Sequence, residues 1–298
     1  MGAGHGHSSA AIQHRWRLVV AFVLVAGFFV VELVAGLVAE SLALLSDAGH
    51  MAADVVTLGA ALVATRVAAR PDHTGRRTYG SYRAEVFASG LAVLVMMAVS
   101  VYIGLEAIAR IGQEAEPVVG VMLVVGALGL VVNLVALVLL RGGAGESLNI
   151  KGAYLEVMAD TLGSVGVIGA ALLVAWTEQA VWDTVIALVI AVFVLVRALL
   201  LGREVIAVLG QHAPKNVEPA ELLDALESLP GVRGVHDLHV WTLTSGMNVA
   251  TAHLATTAEA ESPAVLEAAS RTLSARFGIA HATLQIEAPD QTCHGASW

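Results

Sequence analysis

Six apolar runs dictate what this chain can become. They lie near Leu18–Val38, Leu42–Val63, Val86–Ala109, Val118–Leu140, Gly152–Trp176 and Val181–Leu201. A helix needs roughly 20 residues to cross about 30 Å of hydrocarbon, and each run supplies that length. Lipid offers the backbone no hydrogen-bond partners, so a spanning run must satisfy its own N–H and C=O groups as a helix. Composition agrees: 57% of the residues are hydrophobic and 14% charged, with mean hydropathy +0.77, the profile of a polytopic membrane protein. The first two runs are almost continuous, so the turn near Ala39-Glu40-Ser41 has to be tight. The first fourteen residues hold His5, His7 and His14 but no short apolar run before a small-residue cleavage site, so no cleaved signal is expected.

Basic residues orient the runs. Arg15 and Arg17 precede the first; Arg66, Arg70, Arg76, Arg77 and Arg83 fill the connection between the second and third. Arg141 and Lys151 flank the connection between the fourth and fifth, and Arg197 and Arg203 follow the sixth. The opposite side holds Glu40, then Arg110, Glu114 and Glu116, then Glu178 and Asp183. The positive-inside rule makes both termini cytoplasmic in a multi-pass protein of the inner (plasma) membrane. The expected organisation is a cytoplasmic tail over 1–17, a six-helix all-α membrane domain over 18–201 and a cytoplasmic domain over 202–298.

Two stretches are chemically out of place in this apolar background. One is Ser41-Leu-Ala-Leu-Leu-Ser-Asp-Ala-Gly-His-Met-Ala-Ala-Asp54, with His50 and Asp54; the other is Tyr154-Leu-Glu-Val-Met-Ala-Asp160, with Glu156 and Asp160. A spacing of four puts each pair on one helix face, about one turn apart. Ionisable groups at membrane depth are costly, face the protein interior and mark ion pathways. Helix 2 runs inward and helix 5 outward, so both pairs fall toward the middle of the bilayer and together offer four ligands to one cation. Neutral imidazole with carboxylates suits a divalent first-row metal, and zinc favours a tetrahedron of four. These ligands bind metal only after losing protons, so metal and protons compete for one site. After it, Gly163-Ser-Val-Gly-Val-Ile-Gly169 sets small residues every three positions, a strip that lets another helix approach closely.

Past Gly202 the runs shorten and charge returns. Pro219–Leu229 reads as an amphipathic helix ended by Pro230-Gly231. Val235–Leu243 and Val249–Ala255 alternate like strands around a Ser245-Gly246 turn, Ser262-Pro263 opens a helix to about Phe277, and Ala282–Glu287 reads as a strand. The α-β-β-α-β order implies a small α+β domain. A net charge of −9 argues against nucleic acid as a partner, and Cys293, the single cysteine, excludes an intrachain disulfide or a cysteine zinc finger.

The same residues carry a family resemblance. The Ser41–Asp54 stretch resembles the helix 2 signature of the cation diffusion facilitator family. Arg76-Arg-Thr-Tyr-Gly-Ser-Tyr-Arg-Ala-Glu85, Ala159-Asp-Thr-Leu-Gly-Ser-Val-Gly166 and Val235-His-Asp-Leu-His-Val-Trp-Thr242 match further family segments in the family's order, over nearly the whole chain. The nearest branch is the bacterial zinc/cobalt/cadmium-resistance exporters. The resemblance implies a homodimer in membrane lipid, a ferredoxin-like cytoplasmic domain for metal sensing and dimerisation, and export of zinc against protons by alternating access. It maps the transport site onto His50, Asp54, Glu156 and Asp160. One position departs: zinc exporters typically carry His where Glu156 stands. Three carboxylates and a neutral His leave a zinc-loaded site at formal charge −1, which predicts zinc as main substrate with weaker discrimination against manganese and other divalent cations.

Other residues have weaker claims. Asp47, three residues before His50, is either an exit way-station or a cap on the outer turn. Glu32 and Asn133 are expected to hydrogen-bond between helices, and Glu106 to be solvated. Asp72 and His73 fall where some family members bind a second metal, while Tyr79, Arg83 and Glu85 are expected to hold the loop against helix ends. By resemblance, His236, His253 and Glu287 are candidates for a regulatory zinc site. Strand alternation sets His236 with Leu238 and Val240 on one face and Asp237 with His239 and Trp241 on the other. His5, His7, Cys293 and His294 are near the termini and count for little. An intramembrane protease is disfavoured because His-Glu-x-x-His is absent, and an ATP-driven pump because no Gly-x-x-x-x-Gly-Lys-Ser/Thr loop occurs. A passive metal channel would use the same ligands.

Overall fold

The computed structural model of the chain describes residues 8–68, 78–110, 117–141, 148–244 and 246–288. Its elements run α1 (Ser8–Val38), α2 (Leu42–Ala68), α3 (Ala84–Ala109), α4 (Val119–Arg141), α5 (Leu148–Thr177), α6 (Val181–Leu209), α7 (Pro219–Glu227), β1 (Val232–Thr244), β2 (Met247–Thr256), α8 (Ser262–Phe277) and β3 (His281–Glu287). The chain divides into a helical unit, Met1–Gly80 with Phe87–Gly202, and a mixed unit, Ser81–Val86 with Arg203–Trp298.

Each apolar run forms a helix, but α6 continues to Leu209 instead of stopping at Leu201. Among the described residues, four helical stretches are long and apolar enough to cross a membrane: Ala84–Ala109, Val119–Val138, Val157–Thr177 and Val181–Leu209. In α1 the stretch that qualifies by apolarity, Phe22–Val38, is shorter. The outward faces of these helices carry large apolar side chains, among them Phe87, Leu94, Leu105, Val124, Val138, Leu162 and Val189. In water such a surface would be an association hazard; in lipid it is the expected exterior. The inward faces pack small residues with Leu42, Leu44, Met51, Met96, Ile103, Met122, Val167 and Val194 into one core.

The turn between α1 and α2 is as tight as the sequence demands. Glu40 adopts φ 52, the left-handed conformation that ends many helices, and Ser41 N–H reaches back to the Gly36 carbonyl at 3.1 Å. Arg110 Nη1 donates to the Glu40 carbonyl at 2.6 Å and Val118 N–H to that of Ala39 at 3.1 Å, so both helix-end carbonyls are satisfied. Of the small-residue strip on α5, only Gly163 makes a close approach: a Cβ there would sit well inside 3.0 Å of Asp47 Oδ1, whereas one at Gly169 would meet nothing within 4 Å.

The mixed unit is a three-stranded sheet in the order β1-β2-β3, with β1 antiparallel and β2 parallel to its neighbour β3. Leu222 and Leu226 of α7 and Val265, Ala269 and Leu273 of α8 pack on Ala250, Ala252 and Leu254 of β2. Strand alternation fails at one point. Asp237 takes φ 50 and the register slips between His236, paired with His253, and His239, paired with Thr251. Three steps on β1 oppose two on β2, the signature of a bulge. His253 and Thr251 share a face, so His236 and His239 share it too, while Val240, paired with Ala250, turns into the core. The expected grouping of His236 with Val240 is therefore wrong.

Candidate metal centre

The helical unit builds its site from the start of α2. Ser41 caps that helix, its Oγ accepting Leu44 N–H at 3.2 Å. Asp183 of α6 is a second cap from across the fold, accepting Ser41 Oγ–H at 2.6 Å, Leu42 N–H at 2.7 Å and Ala43 N–H at 3.2 Å. A buried carboxylate at a helix N-terminus complements the dipole there. The charge count sets Asp183 with the outer connections; it lies in the first turn of α6 and fixes where α2 begins.

Two turns on, α2 presents His50 and Asp54, and α5 presents Asp160. His50 Nε2 lies 3.0 Å from Asp160 Oδ1 and 3.8 Å from Asp54 Oδ2, with all three side chains no more than 5% exposed. One ligand atom from each falls within 4.8 Å of the others. Tetrahedral zinc with ligands near 2.0–2.1 Å sets those ligands about 3.3 Å apart, so the observed separations bracket the required edge. Among the described residues, Asp160 Oδ1 has no hydrogen-bond partner despite its distance from His50. Buried polar atoms are rarely left so, and atoms that converge without bonding one another suit a shared cation. Glu156 lies one turn before Asp160 on α5, but its side chain is outside the described residues.

Asp47 does not cap the outer turn, since Ser41 and Asp183 do that. It is buried and lies against Gly163. Asn133 Nδ2 donates to Ser164 Oγ at 3.3 Å, joining α4 to α5 as expected of an interhelical polar pair. Glu106 is half-buried and accepts from Arg110 Nε at 3.2 Å. Glu85 accepts from Thr244 Oγ1 at 3.0 Å within the mixed unit. Asp72, His73, His5, His7, Cys293 and His294 lie outside the described residues.

The charge pattern alone sets Arg197 after the sixth run. It lies inside α6, and its Nη1 is 2.8 Å from His50 Nε2. The signal was available, since an arginine four residues short of Leu201 is within the apolar run itself and must find a partner there.

The mixed unit holds a second cluster. The pairing of His236 with His253 sets their rings edge to face at 5.2 Å, and Glu287 reaches both: Oε2 is 3.2 Å from His236 Nε2 and Oε1 is 2.9 Å from His253 Nδ1. Glu287 is held by Gln285 Nε2, which donates to Oε1 at 3.1 Å, and by Thr256 Oγ1, which donates to its carbonyl. The three named by sequence thus meet, and His239 shares their face without joining them.

Residues 18–209 match the family model of the cation efflux transmembrane domain, and residues 214–289 that of the cation efflux protein cytoplasmic domain. The metal cation efflux system protein CzcD of Cupriavidus metallidurans is 40% identical over 288 residues, 96% of this chain and 90% of that protein. A cadmium, cobalt and zinc/H(+)-K(+) antiporter of Bacillus velezensis is 34% identical, covering 95% of this chain and 92% of its own length. The zinc transporter ZitB of Escherichia coli is 35% identical, with 99% and 95% covered.

Proposed function

The chain belongs to the cation diffusion facilitator family of cation efflux proteins, and from that premise we propose that it exports zinc from the cytoplasm in exchange for protons. It is a transporter, not an enzyme. Six helices, α1 to α6, cross the inner (plasma) membrane with both termini cytoplasmic, and two copies form a homodimer through a ferredoxin-like cytoplasmic domain. The zinc and antiporter names of the relatives support the cargo and the coupling.

One observation carries the assignment: His50 and Asp54 of α2 meet Asp160 of α5 in a buried site whose spacings suit a tetrahedral divalent ion. Glu156, one turn from Asp160, is the fourth ligand. A site that binds metal only when deprotonated couples the two ions directly, because a proton arriving from outside displaces the metal. Alternating exposure of such a site turns an inward proton gradient into outward metal flux. Asp47 and Glu32 mark the outer exit. The His236, His253 and Glu287 cluster is a regulatory zinc site that biases the conformational equilibrium by binding one state more tightly.

A broader cation preference is the second reading, favoured by the carboxylate at position 156. Purified protein in liposomes holding a zinc-sensitive dye, under a defined pH gradient, tests the assignment. Zinc uptake should rise with outward proton drive and vanish in Asp160→Ala. Flux indifferent to the gradient would make the protein a channel, and flux persisting in the variant would remove Asp160 from the site.

A further inference from the structure

Helices α2 and α6 are joined at their N-terminal ends, where Ser41 meets Asp183 and Ser46 Oγ donates to the Ala187 carbonyl at 3.2 Å. Two helices running the same way with equal rise put His50 at the level of Ala191 and Asp54 at the level of Leu195, with Arg197 about half a turn farther on. Helical side chains lean toward the N-terminus of their own helix, so Arg197 reaches back along α6 past Asp54. Phe193, one turn earlier, supports the guanidinium with its ring, 6.0 Å from Cζ to the centroid. The head arrives with Nη1 2.8 Å from His50 Nε2, the nitrogen that also faces Asp160 and Asp54.

The chemistry at that nitrogen is exclusive. Arginine has five N–H donors, no acceptor and a permanent charge, so the imidazole nitrogen opposite it presents its lone pair. A neutral imidazole nitrogen has one such pair. A metal ion bound at His50 needs the same one.

Resting on the reading of His50 as a ligand of the transported metal, we propose that Arg197 is a tethered cation that competes with the metal for His50 Nε2. The guanidinium swings off the nitrogen as the metal binds and returns as it leaves, so the buried acidic site always faces a positive charge. Arg197 thereby weakens metal binding and speeds release. With α6 ending at the cytoplasm, its stem stands on the side from which metal enters. It acts as a specificity-determining residue: a weakly bound cation fails to displace it, whereas one with strong affinity for imidazole does.

The test is metal binding by the purified full-length protein in detergent, with zinc as probe, alongside transport in liposomes. Arg197→Gln removes the charge and should tighten zinc binding roughly 10- to 100-fold, the worth of one hydrogen bond to a charged donor. Transport should show a lower KM and a lower maximal rate, because release becomes slow. Arg197→Lys, which keeps a cation on a shorter arm, should fall between. In a His50→Ala background, Arg197→Gln should tighten binding by much less than it does with His50 present, because only the general repulsion is left to remove. A purely structural role would not tighten binding, so unchanged or weakened affinity in Arg197→Gln overturns the proposal. If that variant fails to fold, arginine-directed phenylglyoxal labelling of the wild-type protein decides: zinc should raise modification at Arg197, and unchanged or reduced labelling overturns the competition. Wild-type zinc affinity unaltered by His50→Ala would instead defeat the site assignment itself.

Discussion

Asp183 is where the fold is easiest to break by one predictable amount. Its carboxylate takes three hydrogen bonds from the start of α2, all buried: Ser41 Oγ–H, Leu42 N–H and Ala43 N–H. Asp183→Ala leaves two buried backbone donors without their acceptor. Each buried orphan costs about 1–3 kcal/mol, or roughly 2–6 for the pair. Removing a carboxylate that was itself costly to bury offsets part of this, leaving a net loss of about 3 kcal/mol. For a chain of 298 residues that corresponds to a fall in melting temperature of roughly 5 °C. Tryptophan fluorescence of the detergent-solubilised protein during heating measures it. Ser41→Ala alone should cost about 1 kcal/mol as a lost cap, and the double variant less than the sum because both residues serve one set of donors. The α2–α6 register also places His50, so Asp183→Ala should lower transport below what its folded fraction explains. A variant melting within about 2 °C of wild type would show that α2 starts without help from α6.

Other outcomes follow from particular residues. Gly163→Ala forces a Cβ into Asp47 Oδ1 and should cost about 1–3 kcal/mol with reduced transport, whereas Gly169→Ala, with open space around it, should change neither; equal behaviour in melting and flux assays would refute the close approach. His236→Ala and Glu287→Gln should each remove one bound zinc per protomer, counted by elemental analysis after dialysis, while zinc flux in liposomes persists. Glu156→His adds a neutral imidazole and removes a charge, so competition assays should show sharper preference for zinc over manganese; an unchanged ratio would separate selectivity from this position.

The helices were legible because twenty consecutive apolar residues leave the backbone one way to satisfy itself, and the candidate ligands because a four-residue spacing puts paired ionisable groups on one face. His50, Asp54 and Asp160 do meet, as do His236, His253 and Glu287. The shared face of His236 and His239 was not legible. A single left-handed residue, Asp237, resets the alternation, and no periodicity rule anticipates a bulge.

What the sequence determined by itself was therefore local and periodic: which segments are helices, which faces carry charge, and which metal chemistry those charges suit. The tertiary structure alone decided what long side chains do across helices. Asp183 became the cap of α2, and Arg197 the neighbour of His50, through contacts more than 140 residues apart in the chain. The reason is physical: a buried charge takes whichever partner the packed helices bring within reach, and that depends on how two helices align, which neither records in its own spacing.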